Sequence, residues 1–464
     1  MTGHRKIRSF MTDKRRRRPR ITTPQLFAGS FATMIAFGTL GLKILPGIYT
    51  GEPLNWLDAL FTATSAVCVT GLIVVDTATY FTTAGQAFLL VLIQAGGLGM
   101  LTLATAIILS LGRRLSLRSE ALYKEQTRIV PHVRFGQLVG TVVVFSILVE
   151  GIGALVLTAA WWGAWPFRET VWYATFHSIS AFCNAGFSTF SDSLTEFQRQ
   201  PITLITMASL IVIGGIGFLT LEELRARVHD HQRAPRLSLH ARLALVVTGV
   251  LLVGGWLVYG VLEWNGLLQG MPLIDRISNA GFMSVTARTA GFNTVDYGSA
   301  SPGTDYFTIL LMSIGGSPGS TAGGMKTTTA ALIGLLAWSR LRGYTATTFA
   351  HRTVPEETVQ RAVGLFVLGF TVVSMAILGY AILDADDPSH EAFLSVMFEA
   401  VSAFNTVGLS TGVTASLSDP SRVLTVILMY VGRVGPLAFA SAIALAPSGL
   451  PRGFRYARED VIIG

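Results

Sequence analysis

The stretch Thr64–Leu72 reads TSAVCVTGL and interrupts an otherwise apolar region of the chain. It follows an apolar run of about a dozen residues, which is too short for a membrane-spanning helix of about 20 residues. The stretch ends in a Gly-Leu pair, and a long apolar segment follows it. Non-helical backbone at membrane depth is tolerated where it lines a cavity or is buried in protein. The pattern therefore predicts a short helix that turns back through a loop.

Loops of this kind occur four times in the chain. Each holds one glycine followed by Leu or Phe, and the glycines recur at intervals of roughly 110 residues. A second glycine signature follows each loop in the next apolar segment. Two matched signatures in every period predict four internal repeats. Loops 1 to 4 are Val67–Leu72 (VCVTGL), Phe182–Phe187 (FCNAGF), Ala287–Phe292 (ARTAGF) and Phe404–Leu409 (FNTVGL), and the second signatures are AGGLGM at Ala95–Met100, IGGIGF at Ile213–Phe218, IGGSPG at Ile314–Gly319 and VGRVGP at Val431–Pro436.

Composition places the repeats in a membrane. The chain has 464 residues, of which 51% are hydrophobic and 13% are charged, whereas soluble proteins carry about 25% charged residues. Several apolar segments are long enough to span a bilayer as helices. The sequence therefore predicts an all-α polytopic membrane protein with eight transmembrane helices. The predicted spans are Leu26–Leu45, Phe88–Leu111, Leu138–Trp161, Ile202–Leu221, Leu243–Leu262, Phe307–Ser313 with Ala330–Trp338, Val363–Ile382 and Val423–Leu445.

Basic residues predict the orientation. Most of the 35 Lys and Arg residues lie in the first 20 residues, in the segments 112–134, 225–242 and 339–361, and after residue 451. An even number of spans puts both termini on one side, and the excess of Lys and Arg predicts that this side is cytoplasmic. A nucleic-acid-binding arm is the alternative for the N-terminus, but the apolar span that follows favours a topology signal. Cys68 and Cys183 provide neither metal-ligand spacing nor a disulfide framework.

The repeats predict a pore on one axis. Each unit contains two complete spans, so four copies point the same way and surround an axis perpendicular to the membrane. The predicted divisions are 1–23 (basic N-terminal segment), 24–112, 113–228, 229–340 and 341–446 (repeats 1 to 4) and 447–464 (C-terminal tail).

The chemistry of the loops favours a monovalent cation. No loop carries Asp or Glu before its glycine. Backbone carbonyls can replace the hydration shell of such an ion, whereas Ca²⁺ and Mg²⁺ prefer carboxylate ligands. The four loops therefore predict a ring of carbonyl oxygens.

At these residues the chain resembles the Trk/Ktr/HKT superfamily of potassium transporters, and its length resembles the Ktr-type (KtrB-like) membrane subunit. The resemblance implies four helix–pore-helix–loop–helix repeats, a potassium-selective filter, a homodimer, and a cytoplasmic ring of nucleotide-binding RCK-type (KtrA-like) regulatory subunits. It also implies that glycine, rather than serine, at Gly71 goes with potassium over sodium, and that transport can be sodium-stimulated. The implied K⁺ filter comprises Val67, Cys68, Val69, Thr70 and Gly71, Phe182, Cys183, Asn184, Ala185 and Gly186, Ala287, Arg288, Thr289, Ala290 and Gly291, and Phe404, Asn405, Thr406, Val407 and Gly408.

Glycines and a proline interrupt the second helix of the third repeat. The stretch Gly315–Gly324 reads GGSPGSTAGG, which no continuous helix accommodates. The resemblance implies a gate below the filter, formed by Gly315, Gly316, Ser317, Pro318, Gly319, Ser320, Thr321, Ala322, Gly323 and Gly324 with Lys326 and Arg433. A Lys at membrane depth indicates function, and the alternative is an ammonium that extends to the cytoplasmic interface.

A phosphate-binding loop is the rival interpretation of this stretch. Gly319–Thr327 (GSTAGGMKT) nearly matches the pattern G-x-x-x-x-G-K-[ST], but Met325 is inserted before the Lys. That motif also requires a preceding strand. An ATPase site is therefore disfavoured.

Two arginines lie where a cation pathway is predicted. Arg433 occupies the position held by Gly97, Gly215 and Gly316 in the other repeats. It either repels cations below the filter or holds the glycine-rich loop, and the alternative is an ion pair with Glu399. Arg288 lies within loop 3, so we expect its side chain to point away from the axis.

Other polar residues have a structural and a functional interpretation. Asp76, Asp296 and Ser191 either attract cations to an outer mouth or are solvated turn residues. Packing is favoured for His177 over a metal site, for the two cysteines over a redox sensor, and for Glu150 and Glu263 over sodium or proton sites.

The favoured function is potassium uptake through a gated pore. A sodium/potassium symporter of the same architecture is the alternative. No catalytic dyad or intact nucleotide motif is present, so we predict no enzyme and no cofactor beyond the transported ion. The cytoplasmic segments are too short for a nucleotide-binding domain of about 100 residues, which favours a separate regulator.

Overall fold

The computed structural model describes residues 23–112, 135–229, 237–384 and 393–435. Nearly all regular structure in these ranges is helical, as the all-α prediction requires. The predicted basic N-terminal segment up to residue 22, the loop 113–134 and the tail 447–464 lie outside the described residues.

Long and short helices alternate along the chain. The described α-helices are α1 Thr23–Ile44, α2 Trp56–Cys68, α3 Thr77–Tyr80, α4 Thr83–Gly112, α5 Phe135–Ala160, α6 Phe167–Cys183, α7 Pro201–Ile216, α8 Phe218–His229, α9 Leu239–Glu263, α10 Leu273–Thr286, α11 Pro302–Met312, α12 Thr327–Leu341, α13 Glu356–Leu383, α14 Phe393–Asn405 and α15 Asp419–Val434. Short 3₁₀ helices cover Thr195–Phe197, Tyr297–Ser299 and Val413–Ser416.

A small hairpin lies between α12 and α13. Strand β1 (Thr348–Phe349) pairs antiparallel with β2 (Arg352–Thr353). Ala350 and His351 form its tip with φ values of 50° and 62°. Nothing in the sequence analysis predicted this hairpin.

The four short helices α2, α6, α10 and α14 each lead into one of the four loops. Asn55 caps the start of α2, because its Oδ1 accepts a hydrogen bond from the backbone of Asp58 at 2.7 Å. The ends of α2, α6 and α14 are marked by left-handed residues, namely Val69, Asn184 and Thr406. The negative end of each helix dipole therefore faces its loop.

The helices close into a circle. The second long helix of each predicted repeat packs on the short helix of the next, with α4 on α6, α7 on α10, α11 on α14 and α15 on α2. At the closing contact, Arg422 on α15 and Asp58 on α2 form an ion pair of 2.8 Å. This circle brings the C-terminal ends of the four short helices together.

Fewer helices qualify as membrane spans than the eight predicted. Among the described residues, α1, α5, α9 and α13 are long and apolar enough, and the bent pair α7 and α8 would make a fifth. The sixth predicted span is divided into α11 and α12, as expected from its glycines and proline. Of the last predicted span, Val423–Leu445, the structure describes only the part up to residue 435.

The prediction of one continuous span over Ile202–Leu221 is wrong. Helix α7 ends at Ile216, and α8 leaves it at an angle of 103°. Gly217 at the bend has a φ of 94°, in the left-handed region that favours glycine. The backbone N–H of Phe218 then donates to the carbonyl of Gly319 at 2.9 Å instead of continuing the helix. A partner from another repeat therefore fixes this bend.

Candidate cation filter and gate

The four loop glycines form a closed ring. A Cβ atom built on Gly71 would lie 2.5 Å from the carbonyl oxygen of Ala185. A Cβ on Gly186 would lie 3.0 Å from the carbonyl oxygen of Ala290, and a Cβ on Gly291 would lie 2.6 Å from that of Val407. The ring is completed at Gly408, where a Cβ would overlap the carbonyl oxygen of Thr70. Each glycine is therefore in contact with the carbonyl preceding the next, and no side chain fits between them.

A second left-handed residue lies two positions before each glycine. The four residues have φ values between 50° and 72°: Val69, Asn184, Thr289 and Thr406. A left-handed conformation costs a residue with a side chain roughly 1–2 kcal/mol. The same strain in all four loops indicates function rather than accident. Together with its glycine, each loop therefore has two left-handed residues separated by one other residue.

Hydroxyl groups at the ends of the short helices support the loops. Ser180 donates to the carbonyl of Phe187 at 2.8 Å, and Thr286 donates to that of Phe292 at 2.5 Å. Ser65 accepts from the backbone of Gly71 at 3.1 Å. Ser402 does both, because it accepts from Gly408 at 3.1 Å and donates to Leu409 at 2.6 Å. Sequence reasoning missed these four residues, although a Ser-Ala pair precedes loops 1, 2 and 4 and Thr286 directly precedes loop 3.

Removing the Ser402 hydroxyl should loosen loop 4. In Ser402→Ala the half-buried Gly408 N–H and the buried Leu409 carbonyl lose their partner, and a buried unsatisfied group costs about 1–3 kcal/mol. We expect reduced discrimination of K⁺ over Na⁺ in a competitive Rb⁺ uptake assay. Ser278→Ala is the control, because the Ser278 hydroxyl on α10 is exposed and bonds only the Ile274 carbonyl. Equal discrimination in the two variants would contradict a supporting role for Ser402.

The second glycine signature reflects close packing on the short helices. A Cβ on Gly96 would collide with the carbonyl oxygen of Val67. Gly214 has the same relation to Phe182, and Gly432 has it to Phe404. Repeat 3 differs, because a Cβ on Gly315 would lie 2.6 Å from the Gly323 carbonyl. In three repeats the signature thus allows the long helix to approach the end of the short one.

A cavity of about 280 Å³ adjoins the glycine ring, and Asp76, Ser191 and Asp296 line it with all four glycines. Asp76 accepts hydrogen bonds from the backbone of Ala78 and from the Ser191 hydroxyl, the latter at 2.6 Å. Asp296 caps the 3₁₀ helix Tyr297–Ser299. The two aspartates therefore cap turns and also place negative charge beside this cavity.

The glycine-rich loop, Gly315–Lys326, packs against the broken end of α7. Its stem is closed by a 2.8 Å bond from the Gly315 N–H to the Met325 carbonyl. The backbone N–H groups of Ser317 and Thr321 donate to the carbonyls of Gly215 and Gly214 at 2.9 and 3.2 Å. Because α7 ends at Ile216, these carbonyls have no partner within their helix. The bend at Gly217 thus creates the acceptors that hold the loop.

Two cationic side chains bind carbonyls of this loop. The Lys326 ammonium donates to Ala322 at 2.5 Å and to Gly323 at 3.3 Å. The Lys326 ammonium is therefore bonded to the loop that precedes it. Arg433 is only 1% exposed, and it donates to the carbonyls of Thr321 and, at 2.9 Å, of Gly96.

The alternative ion pair between Arg433 and Glu399 is wrong. Glu399 instead accepts hydrogen bonds from Ser410, Thr411 and Thr414, which follow loop 4 in the chain. No described carboxylate forms an ion pair with Arg433.

Arg288 does not occupy the ring. The residue is 7% exposed, and its guanidinium donates to the carbonyls of Thr248 at 3.4 Å and Gly315 at 3.2 Å. These carbonyl partners match the expectation that the side chain points away from the axis.

The other polar residues are packed, as expected. His177 bonds the Tyr173 carbonyl and the Ser188 hydroxyl at 2.8 and 2.9 Å. Cys68 and Cys183 are buried free thiols. Glu150 accepts from the Gln94 amide at 2.9 Å, and Glu263 accepts from the Thr304 hydroxyl at 2.5 Å.

The phosphate-binding interpretation of Gly319–Thr327 fails. That motif requires a strand before the loop, and here α11 precedes it. Within the described ranges the only strands are β1 and β2, which both follow the loop in the chain.

Comparison with known proteins agrees with this architecture. The family described as "TrkH: Cation transport protein" matches residues 7–450. The chain belongs to this TrkH family. The resemblance found in the sequence is therefore confirmed, and so is the prediction of a multi-pass membrane transporter rather than an enzyme.

Relatives match the TrkH-family chain over nearly its full length. The Ktr system potassium uptake protein B of Bacillus subtilis is 37% identical, with 96% of this chain and 97% of the relative covered. The potassium/sodium uptake protein NtpJ of Enterococcus hirae is 33% identical, with 97% and 99% covered. The crystal structure of the potassium transporter TrkH from Vibrio parahaemolyticus superimposes with a TM-score of 0.73 at 20% identity, covering 93% of this chain and 87% of that one. This last likeness supports the fold class.

Proposed function

We propose that this protein takes up potassium ions through the ring of four loops, and that the glycine-rich loop with Lys326 and Arg433 gates the passage. The closed ring of glycines is the observation that carries the proposal. It presents carbonyl oxygens at a constriction, and such oxygens can replace the hydration shell of a monovalent cation. The names of the relatives supply the ion, because they are potassium uptake proteins.

The gate lies on the inner side of the filter. The glycine-rich loop bonds helix ends on that side, and its carbonyls are already occupied by Lys326 and Arg433. Positive charge at this depth raises the energy of a passing cation. The loop must therefore move, together with these side chains, before an ion can leave the filter.

We extend the proposal to the protein's surroundings. The chain lies in the plasma membrane as a homodimer with its termini in the cytoplasm, and each chain comprises the four repeats predicted above. A cytoplasmic ring of nucleotide-binding subunits controls the gate. Relatives that are named as parts of a Ktr system support a partner of this kind.

Ion flux into vesicles tests the proposal. We expect purified protein in liposomes to take up Rb⁺, with K⁺ competing at least tenfold better than Na⁺, a difference of about 1.4 kcal/mol. Gly71→Ser should reduce that preference, because a side chain at this position meets the Ala185 carbonyl. Equal competition by the two ions in the unmodified protein would contradict a potassium filter.

An imposed sodium gradient separates the two modes of transport. A gated pore takes up Rb⁺ at a rate set by the Rb⁺ gradient and the membrane potential. A sodium/potassium symporter concentrates Rb⁺ only while Na⁺ flows inward. The relative NtpJ is named for both ions, which makes this measurement necessary.

A further inference from the structure

The third residue before each loop glycine has a different role in different repeats. This position holds Cys68, Cys183, Arg288 and Asn405. In repeat 2 the Cys183 thiol donates to the Gln94 amide oxygen on α4 at 3.1 Å. In repeats 3 and 4 the side chain at this position instead reaches the glycine-rich loop.

Arg288 and Asn405 hold the two sides of the loop's stem. The Arg288 guanidinium donates to the Gly315 carbonyl at 3.2 Å. The Asn405 Oδ1 accepts from the Met325 N–H at 3.2 Å. Gly315 and Met325 are themselves joined by the bond that closes the stem. Residues of two of the four filter loops therefore hydrogen-bond to the two sides of the stem, one to each.

The contact between gate and filter is too close for independent movement. A Cβ on Gly324 would lie 2.5 Å from the Asn405 Oδ1, and one on Gly323 would overlap the Thr406 hydroxyl. Asn405 is 3% exposed and is held on its other side, because its amide donates to the Val401 carbonyl at 3.1 Å. Any displacement of the loop stem therefore breaks a buried hydrogen bond or moves loop 4.

We propose that Arg288 and Asn405 are positioning residues that couple the gate to the filter. The inference rests on the proposed roles of the loops. With the stem in place, both residues hold loops 3 and 4 in the ring. When the stem withdraws, the ring loses these supports and binds its ion less tightly. Coupling between two sites is reciprocal, so a bound ion also favours the closed stem.

The test uses a gate variant to report on the filter. Arg433→Ala removes a bond that holds the loop, and coupling predicts a rise of about fivefold in the Rb⁺ concentration that gives half-maximal uptake, the lower end of typical coupling between sites. In the double variant Arg433→Ala/Asn405→Ala, compared with Asn405→Ala alone, we expect this shift to fall below about twofold. Arg288→Met tests the other side of the stem in the same way if Asn405→Ala does not fold.

Two further variants exclude a merely structural effect. Asn405→Asp keeps an acceptor for the Met325 N–H, so the shift should persist. In Cys183→Ala the same loop position is altered where it contacts α4, and the shift should also persist.

The outcomes distinguish this inference from the proposed function. A shift that survives in Asn405→Ala, or in Arg288→Met where Asn405→Ala does not fold, overturns the coupling. Raised uptake in Arg433→Ala with unchanged Rb⁺ dependence also overturns it, while leaving the gate intact. Unchanged uptake in Arg433→Ala rejects the gate itself and the coupling with it.

Discussion

Gly408→Ala is expected to abolish potassium uptake while the protein still reaches the membrane. The added Cβ would overlap the carbonyl oxygen of Thr70 and lie 3.1 Å from the Cα of Gly71. Both neighbours are backbone atoms of loop 1, so no side-chain rotation relieves the collision. Loops 1 and 4 must separate, and the ring of carbonyl oxygens opens at that point. Rb⁺ uptake per amount of membrane-inserted protein measures the effect.

Gly412→Ala is the matched control for this substitution. Gly412 has a φ of 97°, close to the 92° of Gly408, so alanine is strained at both positions. Nothing lies within 4 Å of a Cβ on Gly412. Both variants therefore lose roughly 1–2 kcal/mol of stability from the backbone, and only Gly408→Ala disturbs the ring. Wild-type uptake in Gly408→Ala would rule out a constriction at these glycines.

The meeting of the four loops could be predicted from the sequence because it follows from repetition. The two glycine signatures recur in the same order, and units of two spans must point the same way. Closure then depends on simple packing, with α15 against α2 at the end of the circle. The physical meaning of the first signature glycine also becomes clear, since a Cβ on Gly96 or Gly432 would collide with a short-helix carbonyl.

The bend after α7 could not be predicted, because the local sequence does not decide it. AGGLGM and IGGIGF are nearly the same signature, yet α4 continues through Gly99 whereas α7 ends before Gly217. The difference is made by the Gly319 carbonyl, which accepts the N–H of Phe218. A hydrogen bond between residues about a hundred positions apart leaves no trace in a local pattern.

The role of Arg288 could not be predicted from the spacing of the sequence motifs either. An arginine beside a cation filter is unfavourable by charge alone, and the sequence offered no particular partner. The structure supplies two carbonyls, of Thr248 and Gly315, that turn the guanidinium away from the ring. By contrast, the supporting hydroxyls could have been predicted, because a Ser-Ala pair precedes loops 1, 2 and 4 and a Thr precedes loop 3.

Arg433→Ala is expected to raise potassium uptake. Hydrogen bonds to charged groups contribute about 1.5–3 kcal/mol each, and Arg433 donates one to the Thr321 carbonyl and one to the Gly96 carbonyl. Losing both shifts the balance between closed and open loop by at least tenfold, since 1.4 kcal/mol corresponds to that factor. Rb⁺ uptake without any regulatory partner should therefore increase by about tenfold or more.

Two controls separate the tether from the charge in this prediction. Arg422→Ala removes a different arginine from the same helix, whose ion pair with Asp58 lies near the start of α15, and it should not raise uptake. Arg433→Lys keeps the positive charge, but a single ammonium cannot reproduce the planar fork that bonds two separate carbonyls. If the charge alone blocks the ion, Arg433→Lys takes up Rb⁺ no faster than the unmodified protein. If the hydrogen bonds of Arg433 hold the gate, uptake by Arg433→Lys rises to a level between those of the unmodified protein and Arg433→Ala. We expect this second result, because one bond goes to the glycine-rich loop and the other to the neighbouring helix α4.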